Sequence, residues 1–352
     1  MKSFDYVRPA SVSDAVAAAT QPGAAYLAAG TNLLDLMKGG VTRPNRLVDI
    51  TRLPGLDRVE PMPDGGLRIG ALVRNADLAH DAELARSFPA VAEALLSGAS
   101  AQLRNAATVG GNLLQRTRCA YFYDTASACN KRQPGSGCDA RIGENRLHAV
   151  LGWSDACIAT HPSDFGVPLV ALDAVVEIEG KTGRRDVALE DFHRLPGDTP
   201  ERESVLEPGD LIVAVRLPGE ARRFNAHARY LKVRERTSYA FAVVSAAAAL
   251  RIEAGTIRDA RLALGGVAAR PWRARAAEKL LEGCIPDATA FRRAAEAALA
   301  DAKPSGDNQF KIELARRVLV RALTLAAAGT PKRVAALPAS PFSSPAGALH
   351  DA

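Results

Sequence analysis

The chain of 352 residues is 47% apolar and 24% charged, which excludes a disordered or collagen-like protein, and its length is that of about two domains. With only 5% aromatic residues, its core has to be built from Ala, Val, Leu and Ile. The formal charge of +6, from 45 basic and 39 acidic residues, is spread along the chain rather than gathered in a stripe, so no nucleic acid is expected as a partner.

Residues 1–16 contain no apolar stretch of the kind that forms a secretory signal. Ser11 and Ser13 precede an Ala-rich run at 14–19 that reads as a short capped helix. Residues 26–29 read as a strand ending at Gly30, and 46–50 and 67–72 as further strands between Pro and Gly turns. Pro89 opens a helix over 90–96 that Gly98 closes. Apolar periodicity then vanishes from 115 to 148, a long irregular stretch of the kind usually kept for function. Strands are predicted at 157–160, 172–178 and 211–217, and a domain boundary near 218–222. Beyond it come strands at 228–233, 241–252 and 260–264, then helices at 273–281, 290–300 and 310–325, a small α+β unit. The longest apolar run, 239–250, falls short of the roughly 20 residues of a membrane span. The Pro-, Ala- and Ser-rich tail, 331–352, is expected to be mobile.

Two short loops could hold an anionic cofactor. The first is Ala28-Ala29-Gly30-Thr31-Asn32-Leu33, directly after a strand; the second is Thr108-Val109-Gly110-Gly111-Asn112, after a turn expected at Asn105. Small residues let a backbone approach a pyrophosphate, and successive N–H groups in a concave turn bind anions. Either loop by itself is more often only a turn. The single G-x-G-x-x-A match, from Gly135 to Ala140, follows no strand and opens no helix, so it is not a dinucleotide fingerprint, and there is no P-loop.

Four of the five cysteines, Cys119, Cys129, Cys138 and Cys157, crowd the irregular stretch with spacing C-x9-C-x8-C-x18-C, while Cys284 stands apart and reads as structural. In a chain made in a reducing compartment, ligation of a metal or cluster is a stronger reading than disulfides. The close C-x2-C pairs of zinc ribbons are absent. Widely spaced thiolates bind a [4Fe–4S] cluster when a loop folds around it. Arg116, Arg118, Lys131, Arg132, Arg141 and Arg146 outnumber Asp124, Asp139 and Glu144 by three, which would offset the two negative charges of such a centre. The plainer reading is a solvated charged loop with buried cysteines.

The pair A-A-G-T-N and T-V-G-G-N resembles the two pyrophosphate loops of the FAD-binding subunits of molybdenum hydroxylases, the xanthine dehydrogenase and carbon monoxide dehydrogenase medium-subunit family. The opening Phe4-Asp5-Tyr6-Val7-Arg8-Pro9, the segment Gln102-Leu103-Arg104-Asn105-Ala106-Ala107 and Pro162-Ser163-Asp164 are similar to that family too, and the likeness runs from residue 1 to about 327. It implies an α+β, vanillyl-alcohol-oxidase-like fold of two FAD-binding subdomains, 1–57 and 58–220, followed by a C-terminal α+β domain, 221–330. FAD would bind non-covalently, with Tyr26, Leu27, Ala28, Ala29, Gly30, Thr31, Asn32, Leu33 and Leu34 around the pyrophosphate and Thr108, Gly111 and Asn112 on its other side. Asp164 would reach ribityl or adenine-side hydroxyls, and Lys232, in Tyr230-Leu231-Lys232-Val233-Arg234, would lie near the flavin. Ala29 departs from the commoner A-G-G pattern, which is tolerable if φ there is negative.

Most members pass from G-G-N to P-x-S-D within a dozen residues, whereas this chain inserts a segment at about 115–160. A [4Fe–4S] insert, here with Cys119, Cys129, Cys138 and Cys157 as ligands, is the mark of a smaller group that includes bacterial aldehyde oxidoreductases and the 4-hydroxybenzoyl-CoA reductase β subunit. Cys119-Ala120-Tyr121-Phe122 and Phe310-Lys311-Ile312-Glu313-Leu314-Ala315 resemble the aldehyde oxidoreductase type more closely. The implied role is electron transfer, from a molybdopterin-binding large subunit through a [2Fe–2S] small subunit to FAD and an external acceptor. The implied assembly is a heterotrimer or a dimer of heterotrimers, cytoplasmic, or periplasmic if exported with a signal-bearing partner. Substrate chemistry is expected on a partner, since no nucleophile–base constellation appears. A 4-hydroxybenzoyl-CoA-reductase-like β subunit and a zinc-stabilised interaction protein are the alternatives.

Overall fold

The computed structural model describes residues 1–332, so the tail expected to be mobile lies, from 333 onward, outside the described residues. Three sheets follow one another along the chain. The first is parallel, with β1 (Asp5–Val7), β2 (Ala24–Leu27) and β3 (Arg46–Asp49) in the order β1-β3-β2. Parallel strands need a crossover, and the helix Val12–Ala19 supplies the one from β1 to β2, which leaves room for β3 between them. Ser11 caps it by accepting from Asp14 N, and it buries Ala15, Val16 and Ala19 with Val48 and Ile50.

The second sheet is antiparallel, with β4 (Val59–Pro61), β5 (Leu67–Gly70), β6 (Val175–Gly180), β7 (Gly183–Ala188) and β8 (Leu211–Leu217) in the order β4-β5-β8-β6-β7. β8 separates two cores. Leu211 and Val213 face the first sheet's core, while Ile212, Val215 and Leu217 face the core formed with the helix Pro89–Ser97. That double-sided burial is why its sequence, LIVAVRL, is apolar almost throughout.

The third sheet, β9 (Ala228–Val233), β10 (Val244–Glu253), β11 (Thr256–Gly265) and β12 (Trp272–Arg273), is antiparallel in the order β12-β11-β10-β9. The helices Arg275–Leu281, Ala288–Ala298 and Phe310–Ala327 cover one face of it. Ile312, Ala315, Leu319, Ala322, Leu323 and Ala326 form the buried stripe of the last helix, at the spacing of an amphipathic helix. The alanines of β10 alternate: Ala246 and Ala248 join this core, and Ala247 and Ala249 join the second sheet's core.

Most predicted elements are present, with 211–217 and 228–233 coinciding with β8 and β9. Residues 157–160 are not a strand. They carry only a lone bridge between Cys157 and Ser154, with no strand ladder alongside. The strand expected at 172–178 begins only at Val175. The helix Gly166–Ala171 precedes it, and the chain turns at Asp173, with φ +55°. Asn105 lies inside the helix Ala101–Ala106, which Ser100 caps, rather than in a turn. Among the described residues no helix is long and apolar enough to cross a membrane.

Candidate functional site

Both glycine loops border the cysteine insert: Asn32 of the first meets Arg116, just after the second, and the helix that follows the first packs on Phe122 and Cys129. The first loop leaves the end of β2. Gly30 has φ +75°, a left-handed backbone that glycine adopts without cost, and a Cβ there would lie 2.7 Å from Leu34 Cδ1. Ala29 is not among the residues with positive φ, so its methyl group meets the condition set above. Tyr26 is committed elsewhere: its hydroxyl donates to Gly209 O at 2.7 Å, and burial raises its pKa well above the usual phenol range. Asn32 looks toward the insert, where its Oδ1 accepts from Arg116 N at 2.8 Å. Leu33 and Leu34 open the short helix Leu33–Lys38.

The second loop forms the helical turn Val109–Leu113, and Thr108 caps it by accepting from Gly111 N. Its two glycines serve different ends. Gly110 packs on Ala71, where a Cβ would come within 3.1 Å of Ala71 Cβ. A Cβ on Gly111 would have one neighbour within 4 Å, the capping Thr108 Oγ1 at 3.1 Å, so apart from that oxygen the space before Gly111 is open to a phosphate. Asn112 Oδ1 accepts from Ser163 Oγ at 2.7 Å and from Gln115 Nε2 at 2.8 Å, which ties the loop to Pro162-Ser163-Asp164. The arrangement fits a pyrophosphate held between two small-residue turns.

Asp164 and Lys232 come together, but with each other. Asp164 Oδ2 accepts from Lys232 Nζ at 2.8 Å and Oδ1 from the Tyr230 hydroxyl at 2.6 Å, and the two charged side chains are 7% and 4% exposed. Tyr230 and Lys232 share a face of β9 because they are two residues apart on a strand. Burial raises the Asp164 carboxyl above the usual range, and Lys232 and Tyr230 pull it part of the way back. The pair is a buried brace whose carboxylate already has two partners.

The insert folds its four cysteines around one cavity, lined also by Thr117, Phe122 and Ala140. Cys129 and Cys138 form a β-bridge, and Phe122 and Cys129 pack on Leu36 and Val41, next to the first glycine loop. Among the described residues, no three or more His, Cys, Asp or Glu side chains converge closely enough for one metal ion. A single zinc needs every sulfur about 2.3 Å from one point, so the zinc-held reading finds no support in this geometry. A cluster spreads its thiolates over separate irons and needs a wider ring. The chemistry of four soft sulfur donors around one cavity, with Lys131 also in its lining, suits it.

Lys131 lines the cysteine cavity, but the other basic residues of the insert are mostly spent on partners of their own rather than gathered round the sulfurs. Arg116 and Lys131 pair with Glu203, Arg141 with Asp155, and Arg146 with Glu235, while Arg132 donates to the carbonyls of Tyr121, Phe122 and Ser127. Burial therefore decides the thiols. It pushes Cys119 up to about 11 and raises Cys157 despite the nearby Lys131; Cys138 is raised for the same reason. Without bound cations these are protonated thiols, and iron would supply the missing positive charge.

The contacts of three histidines were not legible in the sequence. His148, in the insert, brings Nε2 to 3.2 Å from Cys119 Sγ. The His161 and His193 rings lie 4.3 Å apart, tilted by 55°, and both aim Nε2 at Leu113 O, at 3.3 and 2.9 Å. Burial holds His161 well below the usual imidazole range and His193 at about 4, so both are neutral supports of the second loop. They line a cavity of about 200 Å³ with Arg116, Lys131 and Glu203. The sequence placed His148 in the insert and His161 directly before Pro162-Ser163-Asp164, but it carried no signal for His193 or for these pairings.

Comparison with known proteins places this architecture. Residues 2–220 match the FAD binding domain in molybdopterin dehydrogenase, and residues 229–326 match the CO dehydrogenase flavoprotein C-terminal domain. The aldehyde oxidoreductase FAD-binding subunit PaoB of Escherichia coli is 50% identical over 93% of this chain and 99% of its own length. The carbon monoxide dehydrogenase medium chain of Hydrogenophaga pseudoflava is 28% identical over 92% of this chain and 96% of its own. A solved structure of reconstituted CO dehydrogenase from Oligotropha carboxidovorans superposes with a TM-score of 0.74 at 26% identity, covering 94% of this chain and 99% of that one.

Proposed function

The chain belongs to the FAD-binding subunits of the molybdopterin dehydrogenases, an oxidoreductase family, and on that premise we propose that it is the FAD- and [4Fe–4S]-binding electron-transfer subunit of a molybdenum-dependent aldehyde oxidoreductase. Electrons would arrive from a partner [2Fe–2S] subunit, fed by a molybdopterin-binding large subunit, and leave to an external acceptor. The complex would be a heterotrimer or a dimer of heterotrimers, in the cytoplasm or carried to the periplasm with a partner. The observation that carries the reading is the gathering of Cys119, Cys129, Cys138 and Cys157 around one cavity packed against the first glycine loop.

In this reading residues 1–57 and 58–220 hold FAD between them, and residues 221–330 close the site. FAD, when bound, would take up two electrons one at a time and deliver them to the external acceptor. The residues of the chain hold and shield it. The backbone of Gly30 to Asn32 and of Thr108 to Asn112 would cradle the pyrophosphate, with Gly111 giving close approach. Asp164 and Lys232 hold β9 against the helix end at Ser97, where Lys232 Nζ also donates to Ser97 O at 3.1 Å. Neutral His161 and His193 support the carbonyl end of the second loop rather than move protons.

The test is the absorption spectrum of the purified chain with its FAD, iron and sulfide content. A yellow-brown protein with one FAD and about four irons per chain is expected. A colourless chain, or one with FAD but no iron, overturns the corresponding half. In anaerobic stopped flow, aldehydes should bleach the flavin only in the assembled complex, and rapid bleaching of the isolated chain would make it a self-sufficient flavoenzyme.

A further inference from the structure

The cavity formed by the cysteines has one polar neighbour whose placement is over-determined. His148 sits at the end of the insert, 9% exposed, with Nε2 3.2 Å from Cys119 Sγ. Its backbone carbonyl is clamped by the C-terminal domain. Lys311, fully buried on the helix Phe310–Ala327, donates to the carbonyls of Leu147, His148 and Gly266, each at 2.8 Å. Asn308, also fully buried, donates Nδ2 to the carbonyls of His148 and Ala149, both at 3.1 Å. On the insert side, His148 N donates to Asn145 O at 2.9 Å, and Asn145 Oδ1 accepts from Asp307 N. A buried lysine that meets three carbonyls and no carboxylate is costly to keep, and here it fixes the one segment that carries His148.

The rest follows from donor and acceptor chemistry. A thiolate bound to iron offers only lone pairs, so an imidazole nitrogen facing it must carry its proton. Placing that proton on Nε2 leaves Nδ1 as the acceptor, which agrees with its having no partner among the described residues. A hydrogen bond to a ligand sulfur draws electron density from it and favours the more negative, reduced cluster, one of the levers that set cluster potentials.

We propose that His148 is a positioning and potential-setting residue, donating Nε2–H to the Cys119 sulfur of the bound cluster and raising its reduction potential, with the C-terminal domain holding it in register. This rests on the cluster reading above. Cys119 thereby becomes the sulfur through which the C-terminal domain influences how readily the cluster accepts an electron.

The experiment is an EPR-monitored redox titration of the full chain, with iron and sulfide counted in every sample. Wild type is compared with His148→Leu, which removes the donor, and His148→Gln, which retains one. The expected result is full iron in both variants, a midpoint potential shifted to more negative values in H148L, and recovery toward wild type in H148Q. An unchanged potential in H148L with full iron overturns the proposal, whereas absence of iron from wild type overturns the cluster reading beneath it. Should H148L fail to fold or to hold iron, wild type labelled with 15N-histidine decides instead. A 15N coupling to the reduced cluster supports the contact, and its absence from a fully loaded cluster refutes it.

Discussion

Replacing Asp164 with Asn separates charge from shape at the brace between Pro162-Ser163-Asp164 and β9. The amide keeps an acceptor for the Tyr230 hydroxyl, 2.6 Å away, and removes only the negative charge facing Lys232. The ammonium, 4% exposed, is then left with Ser97 O at 3.1 Å. Breaking a buried pair by removing one partner costs about 3–5 kcal/mol. Asp164→Asn should therefore lower stability in urea by about 3–5 kcal/mol. Lys232→Met should cost a similar amount, because the carboxylate is then left with Tyr230 alone. The double variant leaves no uncompensated charge and should be more stable than either single one, a coupling visible in a double-mutant cycle. Additive losses in the double variant, or a loss below about 1 kcal/mol in D164N, would refute the brace. FAD titration of the same proteins reads the cofactor role separately, since a direct contact at Asp164 would weaken FAD binding in the double variant even where stability returns.

Gly111→Val should disturb only the Thr108 cap, whose oxygen would lie 3.1 Å from the new Cβ, yet lower FAD stoichiometry and affinity; unaltered FAD binding would remove the second loop from the pyrophosphate site. Cys129→Ser should lower iron content and weaken the packing of the insert on Leu36 and Val41, and full iron with an unaltered cluster spectrum would exclude Cys129 as a ligand. Asp49 gives a pH signature. Burial works against its charge, but hydrogen bonds from Thr51, Tyr6 and Arg8 hold its pKa down at about 2. Its contribution is therefore complete above an unfolded-state pKa of about 4 and lost as pH falls toward 2. Urea melts between pH 5 and 2 should show wild type losing part of its advantage over Asp49→Asn in that window, and parallel curves would refute the assignment.

The sequence by itself determined whatever is local. β8 and β9 were legible because their apolar pattern follows from burial within a few residues of chain, and the helix Pro89–Ser97 because proline and glycine mark its ends. The glycine loops and the cysteine insert were legible for the same reason, since backbone freedom at Gly30 and the crowding of four thiols in one polar stretch are properties of short segments. Tertiary structure alone decided which side chains meet. Asp164 and Lys232 lie 68 positions apart, and their pairing depends on the register of β9 against a loop. Lys311 reaches His148 across 163 positions, and nothing in a lysine on an amphipathic helix distinguishes a solvent-facing residue from a buried one that clamps three carbonyls. The surplus of basic residues in the insert was countable, but not its use on Glu203, Asp155 and Glu235, because a charge count carries no direction. Composition and spacing fix which groups are available; their pairing depends on how distant segments pack, since each buried donor must find its acceptor wherever the chain has brought one.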